Sequence, residues 1–214
     1  LNETQQPAEL ALLQTQAGRM LQQRGHIIEG AQHFRDAGDS QSLANLIMKE
    51  AQGLVDQGRW QTLNECFVGI PQEPLEQHPW LFYWYAYGQM LVDLELGNAL
   101  LEQAYERFSK HKDLLGQCFV ILDLADVVYL KGEPHRHFNR WISVLERYLQ
   151  QSKEFPSQAV GLKVWMCYLD LVTHGPGEGI LFKRGQRWLL AQIESGQLRA
   201  NQELEASHTL LGTS

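Results

Sequence analysis

The chain has 214 residues, enough to bury a core in one elongated domain or in two small ones. Its composition, 44% hydrophobic and 20% charged, is that of a globular protein and excludes an intrinsically disordered chain. The 18 Lys and Arg residues against 25 Asp and Glu residues give a net charge of −7, which argues against direct binding of nucleic acid.

The N-terminal segment is predicted to form three helices separated by glycines. The first carries apolar residues at helical spacing and ends at Gly25, the second ends at Gly38, and the third ends at Gly58. Asp39 or Ser40 is the expected N-cap of the third helix, because a short polar side chain can accept from the free backbone amides there.

A fourth, short helix around residues 60–67 precedes a connector over residues 69–79, which contains three prolines. Pro79 is expected to open the next helix, where its missing amide hydrogen is no loss. The run from Pro79 to Leu96 carries only two charges and has aromatic side chains all round, so we predict a helix that is packed on most sides.

Six further helices are predicted in the remainder of the chain, with a glycine-rich turn at residues 174–179. They cover residues 98–111, 113–131, 134–152, 156–173, 180–195 and 197–211. Since the alternating pattern of a strand never persists, we predict an all-α fold class with about eleven helices.

Cysteine usage predicts a cytoplasmic protein. Cys66, Cys118 and Cys167 lie far apart in apolar helical patterns, which indicates buried free thiols in a reducing compartment. No basic segment followed by an apolar one opens the chain, so we expect no signal peptide. The chain begins at Leu1 in the middle of a helical pattern, and we therefore expect it to be a fragment of a longer protein.

Turn glycines recur with the period of helical hairpins. Gly25, Gly58, Gly97 and Gly132 are 33, 39 and 35 residues apart, close to the tetratricopeptide repeat of about 34 residues. In the first hairpin, small, large apolar and aromatic residues fall on the positions where the two tetratricopeptide helices pack together: Gly18, Leu21, Gly30, Phe34 and Ala37.

Strongly apolar helices alternate with amphipathic ones, as expected when one helical layer is enclosed and the other faces solvent. We therefore predict tetratricopeptide-like hairpins stacked as a right-handed α-solenoid, with a compact irregular bundle as the alternative. The solenoid is predicted to be a single elongated domain over residues 1–214. Its parts are the first hairpin repeats at 10–68, the connector at 69–79, central repeats at 80–173 and C-terminal helices at 174–212.

Three stretches carry a resemblance to a known family: AGRMLQQRGHIIEGAQHFRDAGDSQSLANLI (17–47), LVDQGRWQTLNECFVGIP (54–71) and HPWLFYWYAYGQML (78–91). They resemble the helical-repeat region of bacterial LuxR-type transcriptional regulators, signal-transduction ATPases similar to the maltose-regulon activator. The resemblance covers roughly residues 10–92 and depends on packing and turn residues: Ala17, Leu21, Gly25, Ala31, His33, Ala37, Gly38, Asp39, Trp60, Leu63, Phe67, Ile70, Pro71 and Pro79.

In that family the region follows a nucleotide-binding and winged-helix module, precedes or contains an inducer-binding superhelix, and a DNA-binding helix-turn-helix lies at the C-terminus. This chain has no phosphate-binding loop and no basic recognition helix, so neither ATP nor DNA binding is assigned to it. The resemblance implies the sensor or interaction segment, whose partner is the rest of the parent regulator.

Asp123 and Asp126 interrupt the apolar run at 114–130. A central aspartate costs about 2.5–3.5 kcal/mol to insert in a bilayer, so we expect a soluble helix and no membrane span. Paired carboxylates could act as acid and base if their environments separated their pKa values. The alternative is that they face solvent or pair with Lys or Arg of the next repeat, because nothing nearby marks a nucleophile or a cofactor site.

His135 and His137 form an H-x-H pair at the start of a predicted helix, but no further ligands at suitable spacing accompany them. The sequence HGPGEG at 174–179 lacks the Lys and Ser or Thr of a phosphate loop and is expected to be a turn. His33 is expected to be a packed, hydrogen-bonded residue. We therefore predict neither a metal site nor a cofactor in this segment.

Six aromatic residues fall within eight positions after Pro79. Core packing is their ordinary role, but some of them could line a concave groove for a sugar, a small apolar effector or a peptide. We place the predicted ligand between the helices that start at Pro79 and Asp113. Its candidate binding residues are Trp80, Trp84, Tyr87, Asp123 and Asp126.

The leading hypothesis is a non-catalytic sensor segment of a transcriptional regulator, which binds a small-molecule effector or a protein partner. One alternative is a stand-alone tetratricopeptide-like adaptor between proteins. A phosphate loop upstream and a helix-turn-helix downstream in the open reading frame would favour the regulator. The remote alternative is an all-α enzyme that uses Asp123 and Asp126.

Overall fold

A computed structural model describes residues 5–131, 138–152, 154–173, 179–196, 198, 202 and 205–209. Every element in these ranges is a helix, which confirms the predicted all-α class. The helices are α1 (Gln5–Gln23), α2 (Ile27–Asp36), α3 (Ser40–Asp56), α4 (Trp60–Phe67), α5 (Gln72–Gln77), α6 (Pro79–Met90), α7 (Leu94–His111), α8 (Leu114–Lys131), α9 (Phe138–Gln151), α10 (Gln158–Thr173) and α11 (Ile180–Glu194). Residues 205–209 are also helical.

The chain forms two compact units, Leu1–Arg107 and Phe108–Ser214. In the first unit, α1 packs against α2, α2 against α3, α3 against α4 and α5 against α6, and α2 with α4 and α4 with α6 also make next-neighbour contacts. In the second unit, α8, α9 and α10 contact one another, and α11 packs against α10. These contacts are typical of stacked helical hairpins within each unit, whereas the right-handed solenoid and the single elongated domain stay predictions.

The first hairpin is held by close contact between α1 and α2. A Cβ atom added at Gly18 would lie 2.8 Å from Cε1 of Phe34, and one added at Gly30 would lie 3.1 Å from the carbonyl oxygen of Gly18. Only glycine therefore lets the Phe34 ring lie against the backbone of the neighbouring helix. His33 is hydrogen bonded through Nδ1 to the side chain of Gln14.

Left-handed glycines and side-chain caps set the helix ends in the first unit. Gly25, Gly38 and Gly58 have φ values of 82°, 67° and 70°, a backbone conformation that favours glycine. Asp39 caps α3, because its Oδ1 accepts a hydrogen bond of 2.9 Å from the amide of Ser42.

The structure differs from two predictions about α6 and the connector before it. The connector at 69–79 contains the short helix α5. The helix predicted from Pro79 to Leu96 ends at Met90, because Asp93 starts α7 by accepting two hydrogen bonds of 3.0 Å from the amides of Glu95 and Leu96.

Gly97, predicted as a turn glycine, lies inside α7 instead. A Cβ atom added there would overlap the backbone of Met90, with Met90 N at only 2.6 Å. The glycine therefore allows close packing between α7 and the end of α6, and it makes no turn. Gly132, the last turn glycine predicted, lies outside the described residues.

Burial follows the predicted apolar helices. In α6 the buried residues are Leu81, Phe82, Tyr83, Trp84, Ala86 and Gly88, which confirms a helix packed on most sides. Cys66 and Cys118 are buried free thiols, and Cys167 is a half-buried one. Among the described residues, none of the helices is both long and apolar enough to cross a bilayer.

A pair of glycine-to-alanine substitutions tests the close contact at Gly97. We expect G97A to lower the free energy of unfolding by more than about 2 kcal/mol, because the added methyl group overpacks against backbone that cannot move aside. The matched control is G53A in α3, where nothing lies within 4 Å of the added Cβ atom.

Because Gly53 is inside a helix, G53A should raise the free energy of unfolding by about 0.5–1 kcal/mol. Urea unfolding monitored by circular dichroism measures both variants. A G97A variant as stable as the wild type would contradict the role given to this glycine.

Candidate functional site

The aromatic residues predicted to bind a ligand form a packed cluster in the first unit. Trp84 is 6% exposed, and its ring centroid lies 4.8 Å from that of Tyr83 and 6.2 Å from that of Tyr87. Trp80 contacts Tyr83 edge to face with a centroid distance of 5.7 Å. Trp84 thus belongs to the core of this unit, while Trp80 and Tyr87 are half-buried.

Asp123 and Asp126 belong to the second unit and have different surroundings. Asp123 is only 9% exposed on α8, whereas Asp126 is exposed and lines a cavity. Asp123 is not among the residues that line this cavity. The two carboxylates therefore differ in exposure, and the acid–base pair and the groove predicted to join them to the aromatic cluster stay predictions.

The cavity that Asp126 lines has a volume of about 410 Å³, and we call it the acidic cavity. Its walls come from α8, α10 and the helix at 205–209: Leu122, Ala125, Asp126, Lys163, Met166, Cys167, Asp170, Glu205 and Thr209. The residues from α8 and α10 follow the i, i+3, i+4 spacing that places side chains on one face of a helix. Two facing helical rows thus build most of the cavity.

Carboxylates dominate the charge of the acidic cavity. Among its described lining residues, Asp126, Asp170 and Glu205 carry carboxyl groups, and Lys163 carries an ammonium group. The surrounding protein raises the pKa of Asp126 by desolvation, Lys163 opposes this rise, and the charge of Glu205 adds to it. The Asp126 side chain is exposed, but its carboxylate is partly desolvated. A positively charged neighbour would therefore stabilise it.

Cys167 also lines the acidic cavity. Burial raises the pKa of its thiol, and the carboxylates of Asp126 and Asp123 raise it further. Because the thiolate is the reactive form, this thiol stays protonated near neutral pH and contributes a soft apolar surface.

Sequence reasoning identified Asp126 but missed Lys163, Asp170 and Glu205. The first two share a face of α10 with Met166 and Cys167, a pattern of mixed charge that is visible in the sequence. Glu205 has no such signal, because only tertiary packing brings its helix to the cavity.

In the part of the chain that the structure describes, no three His, Cys, Asp or Glu side chains are grouped so that they could hold a metal ion. The predicted H-x-H pair, His135 and His137, lies outside the described residues, as does most of the turn at 174–179. No protein-family model, curated protein or solved structure matches the chain.

The raised pKa of Asp126 predicts how this residue affects the free energy of unfolding. Above its unfolded-state pKa of 3.8, the folded protein must hold a partly desolvated carboxylate that the unfolded chain keeps in water. We expect D126N to raise the free energy of unfolding at about pH 7 by less than about 1 kcal/mol, since the side chain is exposed.

At about pH 3 the carboxyl group is protonated in both states, so the difference between wild type and D126N should disappear. Thermal unfolding of the wild type and of D126N at the two pH values measures this difference in stability. A stabilisation by D126N that is equal at both pH values would show that ionisation of Asp126 is not its cause.

Proposed function

We propose that this chain is the non-catalytic effector-sensing segment of a bacterial transcriptional regulator of the LuxR type that it resembles. The acidic cavity of the second unit is the proposed effector site, and it is the observation that carries the proposal. The rest of the parent regulator, with its ATPase and DNA-binding domains, is the proposed protein partner, and the proposed location is the cytoplasm.

The size and lining of the acidic cavity suit a small molecule. Its volume of about 410 Å³ lies within the range of about 300–1,000 Å³ that is common for ligand pockets. Leu122, Ala125 and Met166 provide apolar surface beside the charged groups. A ligand with an aliphatic body and a polar end matches both parts of this wall.

The charge of the cavity selects the sign of that polar end. Among the described lining residues, the carboxylates of Asp126 and Glu205 outnumber the ammonium group of Lys163, and an organic cation such as an alkylammonium would balance this excess of negative charge. Among the described residues, Asp126 and Glu205 have no ammonium or guanidinium nitrogen within 4 Å. The proposed effector is therefore an organic amine that supplies this missing partner.

Sensing would follow from a population shift. The cavity is formed jointly by α8, α10 and the helix at 205–209, so its shape depends on how these elements are arranged. A ligand that binds one arrangement more tightly raises the population of that arrangement by its difference in affinity. The parent regulator would read this change as the signal.

A stand-alone adaptor between proteins remains the second candidate, and the surface of α1 favours it. Leu10, Leu12 and Leu13 are each 58% exposed, and Met20 is 55% exposed. Apolar side chains gathered on an exposed helix are typical of a surface that binds another protein. The open reading frame separates the two candidates, since only the regulator needs a phosphate loop and a helix-turn-helix.

Thermal-shift titration of the whole chain with cadaverine tests the proposed effector class, with the matched uncharged pentanediol as the comparison ligand. Cadaverine should raise the melting temperature, because a ligand that binds only the folded state stabilises it, and pentanediol should not. The D126N/E205Q double variant should weaken binding by at least about tenfold, since hydrogen bonds to charged groups contribute about 1.5–3 kcal/mol each.

The control variant is D36N, which removes an exposed carboxylate of α2 in the first unit and should leave the affinity unchanged. K163M should strengthen binding, because it removes the competing ammonium group. Equal melting shifts with cadaverine and pentanediol, or an equal loss of affinity in D36N, would refute the acidic cavity as an amine site.

A further inference from the structure

A second concave site lies on the other side of α10. We call it the aromatic cleft; it has a volume of about 440 Å³ and lies between α10, α11 and the segment before α10. Its main lining residues are Phe155, Gln158, Trp165, Arg184, Trp188 and Gln192. Because α10 contributes residues 158 and 165 here but 163, 166, 167 and 170 to the acidic cavity, the two sites use different faces of one helix.

Aromatic rings form fixed walls in this cleft. The ring centroids of Phe155 and Trp188 are 5.8 Å apart in an edge-to-face arrangement. A Cβ atom added at Gly161 would lie 2.7 Å from Cδ2 of Phe155, and one added at Gly185 would lie 2.7 Å from Cε3 of Trp165. Two rings therefore pack directly on helix backbone, which limits their movement.

Arg184 supplies the positive charge of the cleft. Its Cζ atom lies 5.8 Å from the centroid of the Trp165 ring, within the range of a cation–π contact. Its Nη1 donates one long hydrogen bond of 3.4 Å to the carbonyl oxygen of Leu149. Among the described residues no carboxylate forms an ion pair with this guanidinium group, which has five N–H donors and can therefore also donate to a ligand.

Trp165 provides a second donor that lacks a partner. The side chain is 1% exposed, and its Nε1 has no hydrogen-bond acceptor among the described residues. The benzo edge of the indole, which includes Cε3 and Cζ3, faces Gly185, so the N–H edge lies on the opposite side of the ring. A buried N–H group without an acceptor costs free energy in the folded state.

We propose that the aromatic cleft binds a small aromatic carboxylate, independently of the effector proposed for the acidic cavity. The ligand ring packs against Phe155 and Trp188, and its carboxylate accepts hydrogen bonds from the guanidinium of Arg184. Arginine suits this task because its planar fork matches both oxygens of a carboxylate. The opposite charge preference of the acidic cavity makes the two sites distinguishable by ligand.

The probe is phenylacetate, titrated into the full chain and followed by isothermal calorimetry and by the indole N–H resonances in NMR spectra. Phenylacetamide is the comparison ligand, because it keeps the ring and removes the charge. We expect saturable binding of phenylacetate with a shift of the Trp165 indole resonance, and at least about tenfold weaker binding of phenylacetamide, as expected for loss of a charge-assisted hydrogen bond.

Three variants locate the charge that matters. R184M should weaken phenylacetate binding by about 10-fold to 100-fold. The matched control R187M removes a charge from the same helix at a residue that does not line the cleft, and it should leave the affinity unchanged. Glu154 is exposed and also lines the cleft, so E154Q should strengthen binding by removing a repulsive charge.

The proposal is overturned if wild-type protein shows no saturable binding of phenylacetate, or if phenylacetamide binds as tightly. An equal loss of affinity in R184M and R187M also overturns it. Circular dichroism checks that each variant is folded. If R184M does not fold, the ligand pair and the exposed variant E154Q decide the question, because neither depends on the structural role of Arg184.

Discussion

Close contact between an aromatic ring and a glycine of a helix is the packing constraint that recurs in both units. Phe34 lies on Gly18 in the first hairpin, Phe155 lies on Gly161, and Trp165 lies on Gly185. In each case an added methyl group would overlap the ring, and at Gly18 and Gly185 the contact brings two helices close together. Because glycine has no side chain, the aromatic ring provides most of the apolar surface at these contacts.

In the second unit, this contact and the acidic cavity use different faces of α10. Where a ring rests on glycine, as Trp165 does on Gly185, helix α10 is held close to α11. On its other face, α10 presents Lys163 and Asp170, whose charged ends are not packed into such contacts and leave space. One helix therefore takes part in a tight contact and in a polar cavity, and the amino acids on each face decide which occurs.

Local signals in the sequence predicted much of the fold, and tertiary packing decided the rest. Helix ends at Gly25, Gly38 and Gly58 follow from left-handed backbone that glycine favours. Gly97 fits the same repeat period. However, the cap at Asp93 starts α7 before Gly97, so this glycine lies inside the helix and allows close packing instead of making a turn. Asp123 and Asp126 are three positions apart on α8, so about 60° separates their side chains around the helix axis. This angle is enough for one side chain to be buried and the other to be exposed at the acidic cavity. The contribution of Glu205 depends on a contact between distant segments, which no local pattern reports.

The burial of the three cysteines has a consequence for how this protein tolerates oxidants and alkylating reagents. Burial raises the pKa of Cys66 to about 11 and that of Cys118 to about 12, and it raises the pKa of Cys167 as well. At neutral pH, about one Cys66 thiol in ten thousand or fewer is ionised, and only the thiolate reacts with iodoacetamide or forms mixed disulfides at an appreciable rate. We therefore expect labelling of Cys66 and Cys118 with such a reagent to report unfolding of the helices that enclose them.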